Sequence, residues 1–382
     1  MASGGTSIER TTTPAGDAAW LVTGYDSVRA LLGDDRLGRT HPEPERAAAR
    51  FSDSVLFGQP TGDPFSQPEN HQQLRRLLTA SFSARRMAAL RPRVQALVDG
   101  LLDDLARRTP PVDLHEALSF PLPALVICEL LGVPYEDRED FRRWSDDVGR
   151  LDDRARSEAG NAALRAYVTR LAERKREQPS ADVISDLVAA SVREPTTVPP
   201  EQLTQLSANL LFAGHETTVT AIDKGVILLL TNEGLREAVV RHPDTLHPAV
   251  EEILRVPHPV PNPQTVSGFG LPRYASEDIE VDGVTIARGE MVMLSLQSAN
   301  VDELAFPAPE QLDVNRSSSA HLSFGFGAHF CLGAPLARIE LQTVFSSLFR
   351  RFPTLRLAVP AEELRPRSNT LTGGVAELSV TW

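Results

Sequence analysis

The stretch Phe324-Gly325-Phe326-Gly327-Ala328-His329-Phe330-Cys331-Leu332-Gly333-Ala334-Pro335-Leu336-Ala337-Arg338 holds one of the two cysteines of this 382-residue chain. Three glycines surround Cys331, and a helical period starts just after it. Glycine permits positive φ and close backbone approach, so the run describes a tight loop that presents the cysteine at a helix N-terminus. There, partial positive charge and free N–H groups favour thiolate over thiol. Such a thiolate is either a nucleophile or a metal ligand. A nucleophile needs a base, and His329, two places away in a tight turn, need not point at the sulfur. Zinc wants more Cys and His partners than the chain offers. A single anionic sulfur among Phe324, Phe326 and Phe330 suits the axial position of a heme iron. Gly325 and Gly327 open no dinucleotide loop, because Phe330 takes the third glycine position and no strand-helix-strand alternation surrounds them.

Outward from this loop the chain reads as mostly α with small β-sheets. The spacing predicts a last helix over Leu332 to Phe352. Upstream it predicts helices over Tyr25 to Leu32, His71 to Phe82, Ala84 to Arg107, Leu114 to Leu131 (interrupted at Pro121 and Pro123), Tyr135 to Asp147, Arg154 to Arg176, Ala181 to Val192 and Leu246 to Val256. Pro200 to Thr231 has apolar residues at helical spacing and no internal Pro, a run of roughly 45 Å that crosses a whole domain. Trp20 to Thr23, Ile279 to Val284 and Met291 to Leu296 read as short strands, with turns at Asp282-Gly283 and Arg288-Gly289. Residues 1–18, rich in Ser, Thr, Gly and Ala, read as a loose leader. Thr40 to Gln67 is a loop long enough to suggest function. Pro307 to Ser323 is an irregular meander, and Leu355 to Trp382 ends in short strands around Thr372-Gly373-Gly374. No repeat or low-complexity linker separates folding units, so residues 1–382 are read as a single domain.

The long helix contains Ala213-Gly214-His215-Glu216-Thr217-Thr218. Gly214 leaves room for a diatomic ligand against the backbone, and the acid–alcohol pair Glu216-Thr217 is suited to loosening helix hydrogen bonds and passing protons. In isolation the pair would read as a solvated acid and a back-bonding Thr. No zincin motif begins here, since Val219 stands where the second His would be. Glu252 and Arg255 lie three apart on one helix face, and His71 and Arg75 four apart on another. Together and in this order, the segments resemble the cytochromes P450 of soluble bacterial type over nearly the whole chain.

The resemblance implies a P450 fold enclosing heme b, between Ala213 and Gly214 of the long helix and the loop carrying Phe324, Gly325, His329, Cys331 and Gly333. Cys331 would be the proximal thiolate on the iron. His71, Arg75, Arg273 and His329 match propionate-binding positions, although His71 with Arg75 alone would read as an exposed pair and Arg273 as solvated. Glu216 and Thr217 would be catalytic, controlling proton arrival, with Thr217 protonating dioxygen. Glu252–Arg255 would be scaffold. Val301 and Gln311-Leu312 depart from the usual arginines, which puts the pair's third partner in doubt and leaves Arg316 as a substitute. The segment before Trp20 is short for the family, so a piece bordering the substrate channel is expected to be missing.

The implied activity is a monooxygenase that hydroxylates or epoxidises a small organic substrate with O2, by resemblance a macrolide, other polyketide or peptide intermediate. The residues expected to line the pocket (40–67, 142–176, Phe212, Ala213, 260–264 and the turn near Leu371) are too varied to name the molecule. Electrons would come from a ferredoxin and a ferredoxin reductase. Arg75, Arg76, Arg85, Arg86, Arg91, Arg93 and Arg338 fall in two segments expected beside the Cys face, as a docking patch or simply a solvated charge run. Two rival classes stand beside this. A non-catalytic P450-like partner or heme-based sensor would lack the Cys or the acid–alcohol pair, and a thiol-nucleophile enzyme would need no heme. With 39 Lys plus Arg against 51 Asp plus Glu, the formal charge of −12 argues against nucleic acid. Two cysteines make no disulfide framework, Cys128 reads as core, and no export signal is visible, so the cytoplasm is the default. Leu122 to Cys128 and Gly225 to Leu230 fall short of the ~20 apolar residues a membrane span needs.

Overall fold

The 32 residues Pro200–Thr231 form one unbroken helix around which much of the chain packs. Pro200 opens it without the loss of a hydrogen bond, and Asn232 ends it by capping the next helix through the Leu235 N–H. The computed structural model describes residues 7–46, 49–52, 54–55, 59–61, 68–194, 199–262, 270–316, 320–368, 370 and 372–382. In chain order its elements are β1 (Ile8–Thr12), β2 (Ala18–Val22), α1 (Tyr25–Leu32), β3 (Leu37–Gly38), α2 (Pro68–Ser81), α3 (Ala84–Ala106), β4 (Val112–Asp113), α4 (Pro121–Leu131), α5 (Arg138–Val148), α6 (Arg154–Glu177), α7 (Val183–Arg193), α8 (Pro200–Thr231), α9 (Glu233–Arg241), α10 (Leu246–Arg255), β5 (Leu271–Ala275), β6 (Ile279–Val281), β7 (Val284–Ile286), β8 (Met291–Leu294), α11 (Leu296–Ala299), α12 (Ala334–Arg351), β9 (Arg356–Leu357) and β10 (Ser379–Thr381).

The helices share one apolar cluster that includes Leu102, Leu122, Ile127, Leu211, Val226 and Phe345. A smaller cluster, with Val22, Leu31, Ile286 and Leu294, lies under a five-stranded sheet of order β1-β2-β8-β5-β3. Strands β4, β10 and β9 form a second sheet. The β6–β7 hairpin turns at Asp282 (φ 48°) and Gly283 (φ 75°), the positive pair its Asp-Gly sequence predicts. No helix among the described residues is long and apolar enough to cross a membrane.

Several segments differ from the sequence reading. Residues 8–12 are not loose leader: β1 pairs antiparallel with β2, placing Ile8 opposite Val22 and Thr12 opposite Ala18. The strand was hidden because it lies at a sheet edge, where Glu9, Arg10 and Thr12 remain exposed. Leu114 to Leu131 is not one helix, since a π-turn over His115–Ser119 precedes α4. The short helix α9 and strands β3 and β5 fall outside the elements the spacing predicts.

The scaffold pair is buried and complete. All five N–H groups of Arg255 are used, on Glu252 Oε1 (2.8 Å), Glu252 Oε2 (2.9 Å) and the carbonyls of Asn300, Pro309 and Gln311. Arg316 takes the third place, its Nε 3.2 Å from Glu252 Oε1, as the absence of the usual arginines required. The meander is thereby fastened to α10. Replacing Arg255 with Met strands a buried carboxylate, and an order of ~3–5 kcal/mol of stability is expected to go with it. Urea unfolding measures this, and a midpoint equal to the parent's would contradict it.

Candidate active site

Gly325 (φ 72°) and Gly327 (φ 68°) take the left-handed conformation that turns the loop back on itself. The Cys331 N–H then donates to the Phe324 carbonyl at 2.7 Å, which sets the sulfur just ahead of α12. Burial is the largest influence on the thiol and raises its pKa, although the residue presents open surface. The N–H groups of Gly333 and Ala334, then Arg75 and Arg338, act in the opposite direction without overcoming it. The helix end thus favours thiolate, as expected, but is outweighed by burial when acting without a metal. A metal cation bound at the sulfur would supply the missing charge. Cys128 is buried core, its thiol pushed up to about 12 by burial.

The loop is braced from outside. Arg75 Nη1 donates to the Phe330 carbonyl at 2.8 Å. Arg338 lies over the Phe324 ring, 4.6 Å from its centroid, and grips both oxygens of Glu251 at 2.7 Å. Of the arginines read as a docking patch, Arg86 and Arg93 are likewise paired with acids, Asp186 and Glu129.

Basic side chains from four segments gather beside the loop. The rings of His71 on α2 and His329 in the loop lie 4.0 Å apart, and no hydrogen bond joins the His329 ring to Cys331 among the described residues. Arg273 on β5 is 6% exposed, and its Nη1 donates to the Pro272 carbonyl. Burial, and then Arg39, lowers its pKa to about 9. Burial, followed by His71, Arg39, Arg273 and Arg75, lowers His329 to about 3. Among the described residues no carboxylate pairs with Arg75, Arg273, His71 or His329. Arg39 was not anticipated. It follows Gly38, the partner of Tyr274, and so stands beside Arg273, in a segment without any period to reveal it.

On α8, Ala213 and Thr217 are exposed within a helix whose other residues are mostly buried, and they share one face. The Thr217 hydroxyl donates to the Ala213 carbonyl at 3.1 Å, and the helix is unbroken there, so the expected loosening of its hydrogen bonds is not seen. Gly214 serves packing: a Cβ on it would lie 2.6 Å from Ile127 Cδ1 of α4, which corrects the reading that it opens space for a ligand. Glu216 turns away from Thr217. Its Oε2 accepts from Thr372 Oγ1 at 3.1 Å and lies 3.8 Å from Arg367 Nη1. Neither partner was foreseen, since both come from a C-terminal segment that the sequence shows only as turn. His215 is fully buried with Nε2 3.2 Å from the Phe120 carbonyl, and burial lowers its pKa to about 4. Of the expected pocket wall, Gln264, Leu371 and 13 other positions (47–48, 53, 56–58, 62–67 and 263) lie outside the described residues.

A family model described as Cytochrome P450 matches residues 141–372. The chain is 42% identical over 374 residues to pentalenolactone synthase of Streptomyces exfoliatus, covering 96% of this chain and 91% of that one. It is 40% identical over 378 residues to the mycinamicin IV hydroxylase/epoxidase of Micromonospora griseorubida, covering 98% and 92%. The solved structure of a mycinamicin VIII methyl hydroxylase from the same organism, bound to mycinamicin VIII, matches with a TM-score of 0.87 at 34% identity over 99% of this chain and 94% of that one. This chain belongs to the cytochrome P450 family.

As a P450 it is a heme-thiolate iron enzyme, a monooxygenase that uses a small-molecule substrate, O2 and redox partners. Its residues fit that cofactor. One sulfur stands at a helix start, and the buried Arg273 guanidinium, in a cluster with Arg39, Arg75, His71 and His329, has among the described residues no carboxylate of the kind a buried charge requires. Two propionates would supply that charge. Arg273→Leu is therefore expected to lose heme to a scavenging apoglobin several times faster than the parent, and an unchanged loss rate would contradict this. Glu251, beneath the loop, gives a pH prediction. Burial opposes its ionisation, but Arg338 and His321 outweigh burial and lower its pKa to about 2 from the ordinary 4.5. A native pKa below the unfolded one adds stability that is complete above pH 4.5 and is lost as pH falls towards 2. Glu251→Gln should flatten the stability–pH curve across that interval, and a curve parallel to the parent's would count against the pairing.

Proposed function

We propose that this P450 hydroxylates or epoxidises a macrolide, other polyketide or peptide intermediate of a natural-product pathway, with Cys331 as iron ligand and Thr217 and Glu216 as its proton-handling residues. The observation that carries the assignment of roles is the division of α8: Thr217 and Ala213 share an exposed face, while Glu216 is buried behind it. When bound, heme supplies the activation of dioxygen and the insertion of one oxygen atom into the substrate. Cys331 offers its sulfur as an anion, with the Gly333 and Ala334 N–H groups limiting the charge it gives away. Arg273, His71, His329 and Arg75 would hold the propionates, and Phe324, Gly325 and Gly333 would shape the loop against the ring. Thr217 holds a proton at Oγ1, oriented by the Ala213 carbonyl. Glu216 resupplies it from the buried side. The small-molecule class is supported by the relatives that act on mycinamicins and by the pentalenolactone synthase.

Electrons come from a ferredoxin and its ferredoxin reductase, a reading supported by Arg76, exposed on α2 beside the loop-bracing Arg75, and by Arg85, exposed at the start of α3. The chain works in the cytoplasm as a single domain. Free thiols at Cys128 and Cys331 accord with a reducing compartment. Thr217→Ala is expected to bind heme and give the carbon monoxide spectrum of the parent while diverting most reducing equivalents to hydrogen peroxide. The ratio of product to NADPH consumed measures this, and unchanged coupling would remove Thr217 from proton handling.

A further inference from the structure

Four residues apart on α8, Gln205, Asn209, Ala213 and Thr217 fall on one helix face. Each keeps some exposure, whereas Leu206, Ala208, Leu211 and Phe212 between them are buried. Neighbours cover the other sides of this half of the helix: Thr204 meets Thr169 of α6, and Gly214 meets Ile127 of α4. The stripe therefore borders the space into which Thr217 opens.

Its far end is an amide pair. Gln205 Nε2 donates to Asn209 Oδ1 at 2.8 Å, which fixes the end of the Asn209 amide that accepts. Asn209 Nδ2 then carries two N–H donors, enough for a protein acceptor and a ligand together, and Gln205 Oε1 accepts from no group among the described residues. Elsewhere on α8 the polar side chains serve the fold: His215 meets the Phe120 carbonyl, Thr220 meets Thr372 and Asp223 meets His115. An apolar molecule covering the amide pair would strip it of water and return nothing, whereas a hydroxyl accepts from Asn209 Nδ2 and donates to Gln205 Oε1. A few such polar groups in an apolar wall are what orients a ligand, and Leu210, Phe212 and Ala213 supply the apolar part here.

We propose that Asn209 is a specificity-determining residue, donating through Nδ2 to a substrate hydroxyl carried on an apolar skeleton, two helical turns or roughly 12 Å from the carbon that is oxidised beside Thr217. Gln205 holds the Asn209 amide in that orientation and accepts the hydroxyl hydrogen. The proposal rests on the reading that Thr217 faces the oxidised carbon, and it narrows the substrate class to molecules with a hydroxyl remote from the reacting position.

Iron-anchored probes test this without the natural substrate. N-Alkylimidazoles and ω-imidazolyl alcohols of six to twelve chain carbons are titrated into the ferric holoprotein, and the red shift of the Soret band reports each dissociation constant. Every alcohol is compared with the alkyl probe of the same length. In the parent, the ratio of alkyl to alcohol dissociation constants is expected to peak at one chain length, about fivefold or more above its value for the shortest chain. Asn209→Leu should abolish the peak while the alkyl probes bind at least as tightly as to the parent, which also shows that the variant folds. Gln205→Leu should lower the peak about twofold. A ratio independent of length in the parent overturns the proposal, as does a peak that survives Asn209→Leu, and in both cases Thr217 keeps its place. A peak that Gln205→Leu leaves at the parent's height removes Gln205 from the anchor. If no probe shifts the Soret band, the open face of α8 does not border the heme, and the reading beneath the proposal falls with it.

Discussion

A sulfur that must stay an anion has to be held where burial works against its charge, and the architecture around Cys331 answers that constraint. Two left-handed glycines turn the chain so that the sulfur meets the first N–H groups of α12. Arg75 ties the loop to α2 and Arg338 ties its helix to α10. Neighbouring residues of α10 then divide the work. Glu251 faces Arg338 and His321 beneath the loop, while Glu252 faces Arg255 and Arg316 and fixes the meander that leads into it. The loop is thus anchored at both of its ends by one helix of 10 residues.

Opposite this anchor, helical geometry sorts the polar residues of α8. Positions four apart share a face, so Ala213 aligns with Thr217, and Glu216 aligns with Thr220. Thr220 and Glu216 both reach Thr372, in the C-terminal segment, whereas the Thr217 hydroxyl returns to its own helix. An acid next to an alcohol in sequence therefore serves a different environment from it. The buried cost of the Glu216 charge falls on partners that lie more than a hundred residues away along the chain.

Much of the helical framework was legible because its signal is local. Apolar spacing delivers α3, α6, α8 and α12 to within a few residues, and the Asp282-Gly283 turn follows from two adjacent side chains. Arg316 could be named because a missing arginine leaves a buried carboxylate in need of one. What escaped depends on distant partners. Strand β1 is polar on its open side and is defined by pairing with β2, Arg39 acquires its place from the register of β3 on β5, and Arg367 and Thr372 are joined to Glu216 only by the folding of the C-terminal turn. Gly214 was assigned to a ligand because sequence cannot say which way a missing Cβ would point, and it points at Ile127.

The coordination of iron by Cys331 is the claim on which the remaining roles rest. Iron-edge X-ray absorption of the purified ferric protein tests it most directly. The account predicts a single sulfur scatterer in the first shell of the parent and its disappearance in Cys331→Ser. A first shell of nitrogen and oxygen alone in the parent, or a sulfur shell that survives the substitution, would contradict it.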